Sequence, residues 1–272
     1  MITRAIFFPF DLFGSPGTKA GAELLADAFQ EMLADNKRER MPTRAKAYAN
    51  RLRFEEFAFD TMADYRDWRK SARARLRQVF RANEFLLWVS GNHLGTLPVF
   101  DEIDRDTLVI QLDAHFDIYN LSDCTSELSH GNFLLHAEKP LPRLTNVGHR
   151  ELLLNRNYVA NYYHTTFSAP YVLGQCESVL KDIRAQASLA PRVFLDLDCD
   201  VFDPAYFPAV AQPRPFGLAP EFVLRILDAV GPDRLCGLSI SEFDPARDVN
   251  DRCLETLMWL IEYVLLFKYE QS

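Results

Sequence analysis

Six short, β-favouring apolar runs recur along the chain, at residues 5–8, 85–89, 108–112, 144–147, 193–197 and 235–240. Helical patterns separate most of them. Residues 19–34 carry Leu24, Leu25, Ala28, Phe29 and Leu33 at helical spacing, and 61–82 follow a threonine of the type that starts helices. Ala219-Pro220-Glu221 opens another helix with proline in its first turn, and 254–268 forms the last. Nearly continuous apolar strands that alternate with helices predict a parallel sheet covered on both faces. The expected fold is therefore α/β, three layers in α/β/α order around a mainly parallel sheet, with residues 1–272 as one domain.

Ligands of such sheets gather beyond the carboxyl ends of the strands, and the polar clusters of this chain fall at those ends. Asn92-His93 follows the second run, Asp113-Ala114-His115-Phe116-Asp117 the third, Asp198 and Asp200 the fifth, and Glu242 the sixth. Alternate residues of a strand share a face, so Asp113, His115 and Asp117 are expected to converge. The acidic cluster of Asp196, Asp198 and Asp200 repeats the arrangement, and two clusters at two strand ends suggest two metal ions. Carboxylates mixed with imidazoles suit borderline divalent metals such as Mn²⁺, with other divalent ions allowed. A pair of such ions lowers the pKa of water and supplies a nucleophile near neutrality. Asp196, one strand repeat before the pair, reads as a deeper, hydrogen-bonded acid, and Cys199 as a packed core thiol.

Composition narrows the function further. Lys and Arg total 30 against 38 Asp and Glu, and a balance of −8 argues against a nucleic-acid or anionic-membrane binder. No apolar run approaches membrane-spanning length, and the opening run, cut by Pro9, is too short for a signal peptide. Five cysteines without Cys-x-x-Cys pairing fit reduced thiols in the cytoplasm. The basic segment 37–51 reads as a solvated linker or as an anion-contacting lid over the site. His136 reads as packed or capping, His149 as lining the pocket or equally as a hydrogen-bonded structural residue, and His164 as part of a substrate-contacting loop, a weaker reading than the others.

Taken in order, Asp113-x-His115-x-Asp117, Asp198-x-Asp200-x-x-Asp203-Pro204 and Glu242-x-x-Pro245 resemble the signatures of the ureohydrolases, the arginase and agmatinase family. Ser90-Gly91-Asn92-His93 is similar to that family's Gly-Gly-Asp-His segment and Ser129-His130-Gly131 to its Ser-His-Gly. Gly14 to Gly21 is similar to its glycine-rich first loop, and Val147-Gly148-His149-Arg150 to its Gly-x-Arg strand. The resemblance implies two manganese ions. His93, Asp113, Asp117 and Asp198 would hold one and Asp113, His115, Asp198 and Asp200 the other. It further implies that Glu242 binds the guanidinium and that His130 shuttles protons.

Departures from the family pattern bear on the substrate. Asn92 stands where the family has Asp, which would soften the surroundings of His93. The positions that serve the head group of free arginine hold Tyr119, Ser126-Glu127-Leu128 and Glu151-Leu152-Leu153 instead. A free α-carboxylate and α-ammonium would be poorly paired there. Phe10-Asp11-Leu12-Phe13-Gly14-Ser15-Pro16-Gly17-Thr18 and Gly91-Asn92-His93-Leu94-Gly95 are similar to the peptide arginases, which convert arginine to ornithine in ribosomally made precursor peptides. The expected partner is thus an arginine-containing peptide, with a small guanidino compound such as agmatine as the alternative, and a homo-oligomer is allowed. A calcineurin-like metallophosphoesterase fits less well, since its Gly-Asn-His follows Asp-x-His rather than preceding it. A non-catalytic metal or peptide binder is disfavoured by the complete ligand set.

Overall fold

The computed structural model describes residues 1–270. Eight strands, β1 (Thr3–Phe8), β2 (Leu52–Glu56), β3 (Phe85–Ser90), β4 (Thr107–Leu112), β5 (Arg143–His149), β6 (Thr165–Ser168), β7 (Arg192–Asp198) and β8 (Leu235–Ser241), form one sheet. Their order is β2-β1-β3-β8-β7-β4-β5-β6 and every pairing is parallel. The helices are α1 (Thr18–Arg38), α2 (Met62–Arg81), α3 (Leu97–Glu102), α4 (Arg156–Val159), α5 (Ala169–Gly174), α6 (Cys176–Leu189), α7 (Glu221–Val230) and α8 (Arg252–Tyr269). Among the described residues no helix is long and apolar enough to cross a membrane.

Strand alternation feeds two separate cores, one on each face of the sheet. Ala5, Phe7, Leu87 and Val89 pack with Leu25 and Phe29 of α1 and Leu257, Ile261 and Val264 of α8. Ile6, Phe8, Leu86 and Trp88 point the other way, onto Trp68, Leu76 and Val79 of α2. The expected three-layer α/β/α fold is therefore present. Thr61 starts α2 with a capping box: its hydroxyl accepts from the Asp64 amide and the Asp64 carboxylate accepts from the Thr61 amide at 2.7 Å.

The basic segment 37–51 is neither a free linker nor a lid. Its first two residues complete α1, and two single helical turns, Arg44–Ala47 and Ala49–Arg51, lie just before the amino end of β2, at the opposite rim from the strand carboxyl ends. Tyr48 is buried there and donates to Glu262 of α8 at 2.6 Å, while Arg44 pairs with Glu270.

Candidate metal centre

Four adjacent central strands, β3, β8, β7 and β4, end at one rim. The segments that leave them carry His93, Glu242, Asp198 with Asp200, and Asp113 to Asp117. All six predicted ligand residues meet there. His93, Asp113 and Asp198 form one group whose ligand atoms lie within 4.8 Å of one another, and Asp113, His115 and Asp200 form a second. Asp113 is common to both; Asp198 falls in the first. Asp117 joins through His93, whose Nδ1 is 2.8 Å from its Oδ2.

The convergence does not arise as strand alternation predicts. β4 stops at Leu112 and β7 at Asp198, so Asp113 to Asp117 and Asp200 lie in turns. Oδ1 of Asp113 accepts from the His115 amide (2.6 Å), Oδ1 of Asp198 from the Asp200 amide (2.9 Å), and Oδ1 of Asp200 from the Ala114 amide (3.1 Å). The two-residue spacing is that of an Asx turn, in which a carboxylate bonds its own backbone two residues on. One oxygen of each acid is thereby fixed and the other is turned inward. Asp117 adopts φ 52°, and Glu242 φ 66°; such left-handed conformations are costly for side chains of this kind and occur mostly where the surroundings enforce them.

Chemistry at the centre calls for cations. Buried His93 Nδ1, Asp113 Oδ2 and Asp117 Oδ2 have no hydrogen-bond partner, although Nδ1 lies 3.1 Å from Asp198 Oδ2 and 3.3 Å from Asp113 Oδ2. The atoms approach without hydrogen-bond alignment, as lone pairs directed at a shared ion do. Burial raises the Asp113 carboxyl, and repulsion from Asp117 raises it further. Burial also lifts Asp198, with Asp200 adding to it. Burial alone would lower both imidazoles, but Asp196 and Asp117 hold His93 above its ordinary value, and Asp200 holds His115 up at about 9. Acids that resist ionising and imidazoles that retain protons both report a deficit of positive charge, which a pair of divalent ions would supply. The residues present fit that group.

Outer contacts fix the ligands. Asp196, fully buried as expected, accepts from His93 Nε2 at 2.9 Å and from Ser239 Oγ at 2.5 Å, which leaves Nδ1 as the imidazole's free ligand atom. Gln111 reaches the same carboxylate at 3.4 Å; a glutamine inside an apolar strand run is the sequence signal for such a role. The Asn92 side chain makes no hydrogen bond to the His93 ring among the described residues and donates instead to the Leu12 carbonyl at 3.0 Å, pinning the first loop. A Cβ on Gly14 would come within 2.5 Å of that amide and 2.8 Å of His130 Cβ, so only glycine lets the loop approach the site. Cys199 is buried in the core, as expected.

A cavity of about 650 Å³ opens over the centre, lined by Phe13, Tyr119, His130 and Glu242 besides the ligands. Glu242 accepts from the His93 amide at 2.9 Å, and its Oε1 lies 3.4 Å from His130 Nδ1. Burial lowers the His130 imidazole, but the bond to Glu242 outweighs it, leaving the pKa raised. At the mouth Tyr119 donates to Glu151 at 2.6 Å, and Glu151 also accepts from the Leu154 amide at 3.0 Å. Sequence reasoning missed this pair, which joins two loops distant in the chain. Arg150 donates to the carbonyls of Gly148, Asp200 and Val201, clamping the turn that carries Asp200.

His149 lines not this cavity but its neighbour, together with His164. His136 ends a helical turn, its carbonyl accepting from Arg69 at 2.9 Å. The His149 ring lies 4.6 Å from Phe116, and burial pushes its pKa down to about 4. A folded value below the ordinary 6.5 means that the unfolded chain binds the extra proton, so His149 costs stability as pH falls through that window. His149→Phe is expected to flatten the loss of stability between about pH 6.5 and pH 4. Denaturant titrations across that range check it, and parallel losses in variant and parent would refute it.

Comparisons with known proteins place this geometry in context. The model of the Arginase family matches residues 5–266. An agmatinase of Proteus mirabilis is 26% identical over 193 residues, 69% of this chain and 61% of that protein, so the aligned part spans about three fifths of that relative. A formimidoylglutamase of Staphylococcus aureus is 24% identical over 257 residues, covering 93% of this chain and 80% of the other. Among solved structures, an arginase from Bacillus subtilis superposes with a TM-score of 0.79 at 19% identity, covering 97% and 98% of the two chains. An agmatine ureohydrolase of Thermoplasma volcanium gives 0.77 at 19% identity, covering 98% and 89%.

Proposed function

Because the chain belongs to the arginase family, we propose that it is a cytoplasmic binuclear-metal hydrolase of guanidino groups, acting on arginine within a peptide and folding as one domain over residues 1–272. When bound, two divalent cations, manganese being the family's usual choice, supply the Lewis acidity that makes water nucleophilic near neutral pH. His93, Asp113, Asp117 and Asp198 would hold one, and Asp113, His115, Asp198 and Asp200 the other. Glu242 binds the guanidinium through a charge-assisted pair, matching a planar donor fork with a carboxylate. Water adds to the guanidinium carbon, and the bond from that carbon to the chain nitrogen breaks. His130, beside Glu242 and favouring its protonated form, gives that nitrogen its proton. Urea leaves and an ornithine side chain remains.

The observation that carries the peptide assignment is the mouth. Tyr119 and Glu151 satisfy each other there, and Leu152 and Leu153 beside them are 100% and 71% exposed. An α-ammonium would meet an engaged acid and two leucines, whereas the nitrogen of a peptide bond carries no charge. The five free cysteines support a reducing compartment. An agmatinase among the relatives favours agmatine as the second reading. With Mn²⁺ supplied, a capped arginine peptide is expected to release urea and lose about 42 Da, the mass of CH2N2, as the amidino group is replaced by one hydrogen. Rapid agmatine turnover with the peptide unchanged would overturn the assignment.

A further inference from the structure

A second and larger cavity, of about 1200 Å³, adjoins the catalytic one beyond the ends of β5 and β6. Arg150, Glu151, Leu152 and Arg214 line both, so the two share a wall. Its volume reaches that of pockets which bury a drug-sized ligand. A free amino acid or small guanidino amine whose guanidinium sits on Glu242 has no atoms left to fill it.

We propose that this cavity seats the residues next to the arginine of a peptide substrate and selects an acidic side chain there; the proposal rests on the peptide reading above. The shared wall puts the second cavity beside an arginine whose guanidinium sits on Glu242, within reach of the residues next to it in a peptide. Charge sets its character. Arg156 and Arg214 line the cavity and make no ion pair among the described residues, while Arg150 is committed to backbone carbonyls. Glu151, the acid of the shared wall, is already satisfied by Tyr119 and by the amides of Leu153 and Leu154. Two available guanidinium groups against one engaged carboxylate leave a cationic wall, and Phe116 and Tyr163 provide an apolar floor. A carboxylate brought in on a flexible side chain gains a bidentate partner at modest desolvation cost.

The test is urea release from a capped pentapeptide with arginine between glycines, each glycine replaced in turn by Asp or Lys, with N-acetyl-arginine amide as the minimal substrate. At one or more positions Asp is expected to exceed Lys in kcat/KM by about three- to ten-fold, as for a partly exposed ion pair. Arg156→Glu, a change at an exposed position, should invert that preference, and Arg214→Glu should do the same, while the minimal substrate moves less than about two-fold with Arg156→Glu. Equal rates for every pentapeptide and for N-acetyl-arginine amide would overturn the proposal and leave the peptide reading standing. A change of oligomeric state on Arg156→Glu with the peptide series unaffected would assign the cavity to a subunit contact and also overturn it. No urea from any arginine peptide, with agmatine turned over, would remove both.

Discussion

Asp113→Asn is expected to lower turnover by on the order of a thousand-fold or more while making the chelator-treated protein more stable. The two effects have one cause. Asp113 is fully buried, is common to both ligand groups, and presents an oxygen with no hydrogen-bond partner. Without cations, burial and the neighbouring Asp117 raise its pKa to about 7. A folded value above the ordinary 3.8 means that the carboxyl costs stability as pH rises from there, and the whole cost is present above the folded value. Asparagine has nearly the same shape, can still accept from the His115 amide, and has no charge to desolvate. At about pH 8 with chelator the variant should therefore melt higher, by roughly 2–4 °C for each kcal/mol relieved. Mn²⁺ should raise the melting temperature of the parent and not of the variant. A variant that melts lower than the parent in chelator, or that keeps its response to Mn²⁺, would refute this account of the site.

Glu242→Gln is expected to lose about 2–5 kcal/mol of transition-state binding, on the order of 30- to 5,000-fold in kcat/KM, with metal content unchanged. The carboxylate is buried and sits at the end of β8 facing His130. Glutamine retains an oxygen for the His93 amide, so the fold has no reason to suffer, but it offers the guanidinium a neutral dipole in place of a charge. Steady-state kinetics with an arginine peptide, together with metal analysis, check this. A variant with parental kcat/KM would remove Glu242 from guanidinium recognition, and one that loses its metal would make it a structural support for His93.

How far the chain could be read in advance depends on where the information lies. Apolar period identified six of the eight strands and placed each polar cluster beyond a strand's carboxyl end, because buried parallel strands are apolar on both faces. The two strands it missed are the sheet edges. Leu52–Glu56 interleaves Arg53, Glu55 and Glu56, and Thr165–Ser168 is short and largely polar, because neither is covered on both sides. Helices α3, α4, α5 and α6 likewise escape the sequence reading. The ligand residues were legible; their mode of convergence was not. Whether Asp113, His115 and Asp117 meet by strand alternation or through turns depends on one backbone amide and a left-handed Asp117, which spacing alone does not reveal. Contacts between loops far apart in sequence, Tyr119 with Glu151 and Asn92 with the Leu12 carbonyl, carry no local pattern at all. Tyr119 and Glu151 nonetheless line the cavity over the centre.

Anomalous diffraction from crystals grown with Mn²⁺ is the most direct measurement of the central claim that these side chains hold two ions. Two peaks are predicted, one among His93, Asp113, Asp117 and Asp198 and one among Asp113, His115, Asp198 and Asp200. A single peak, or manganese bound elsewhere with these carboxylates paired to protonated imidazoles, would contradict it.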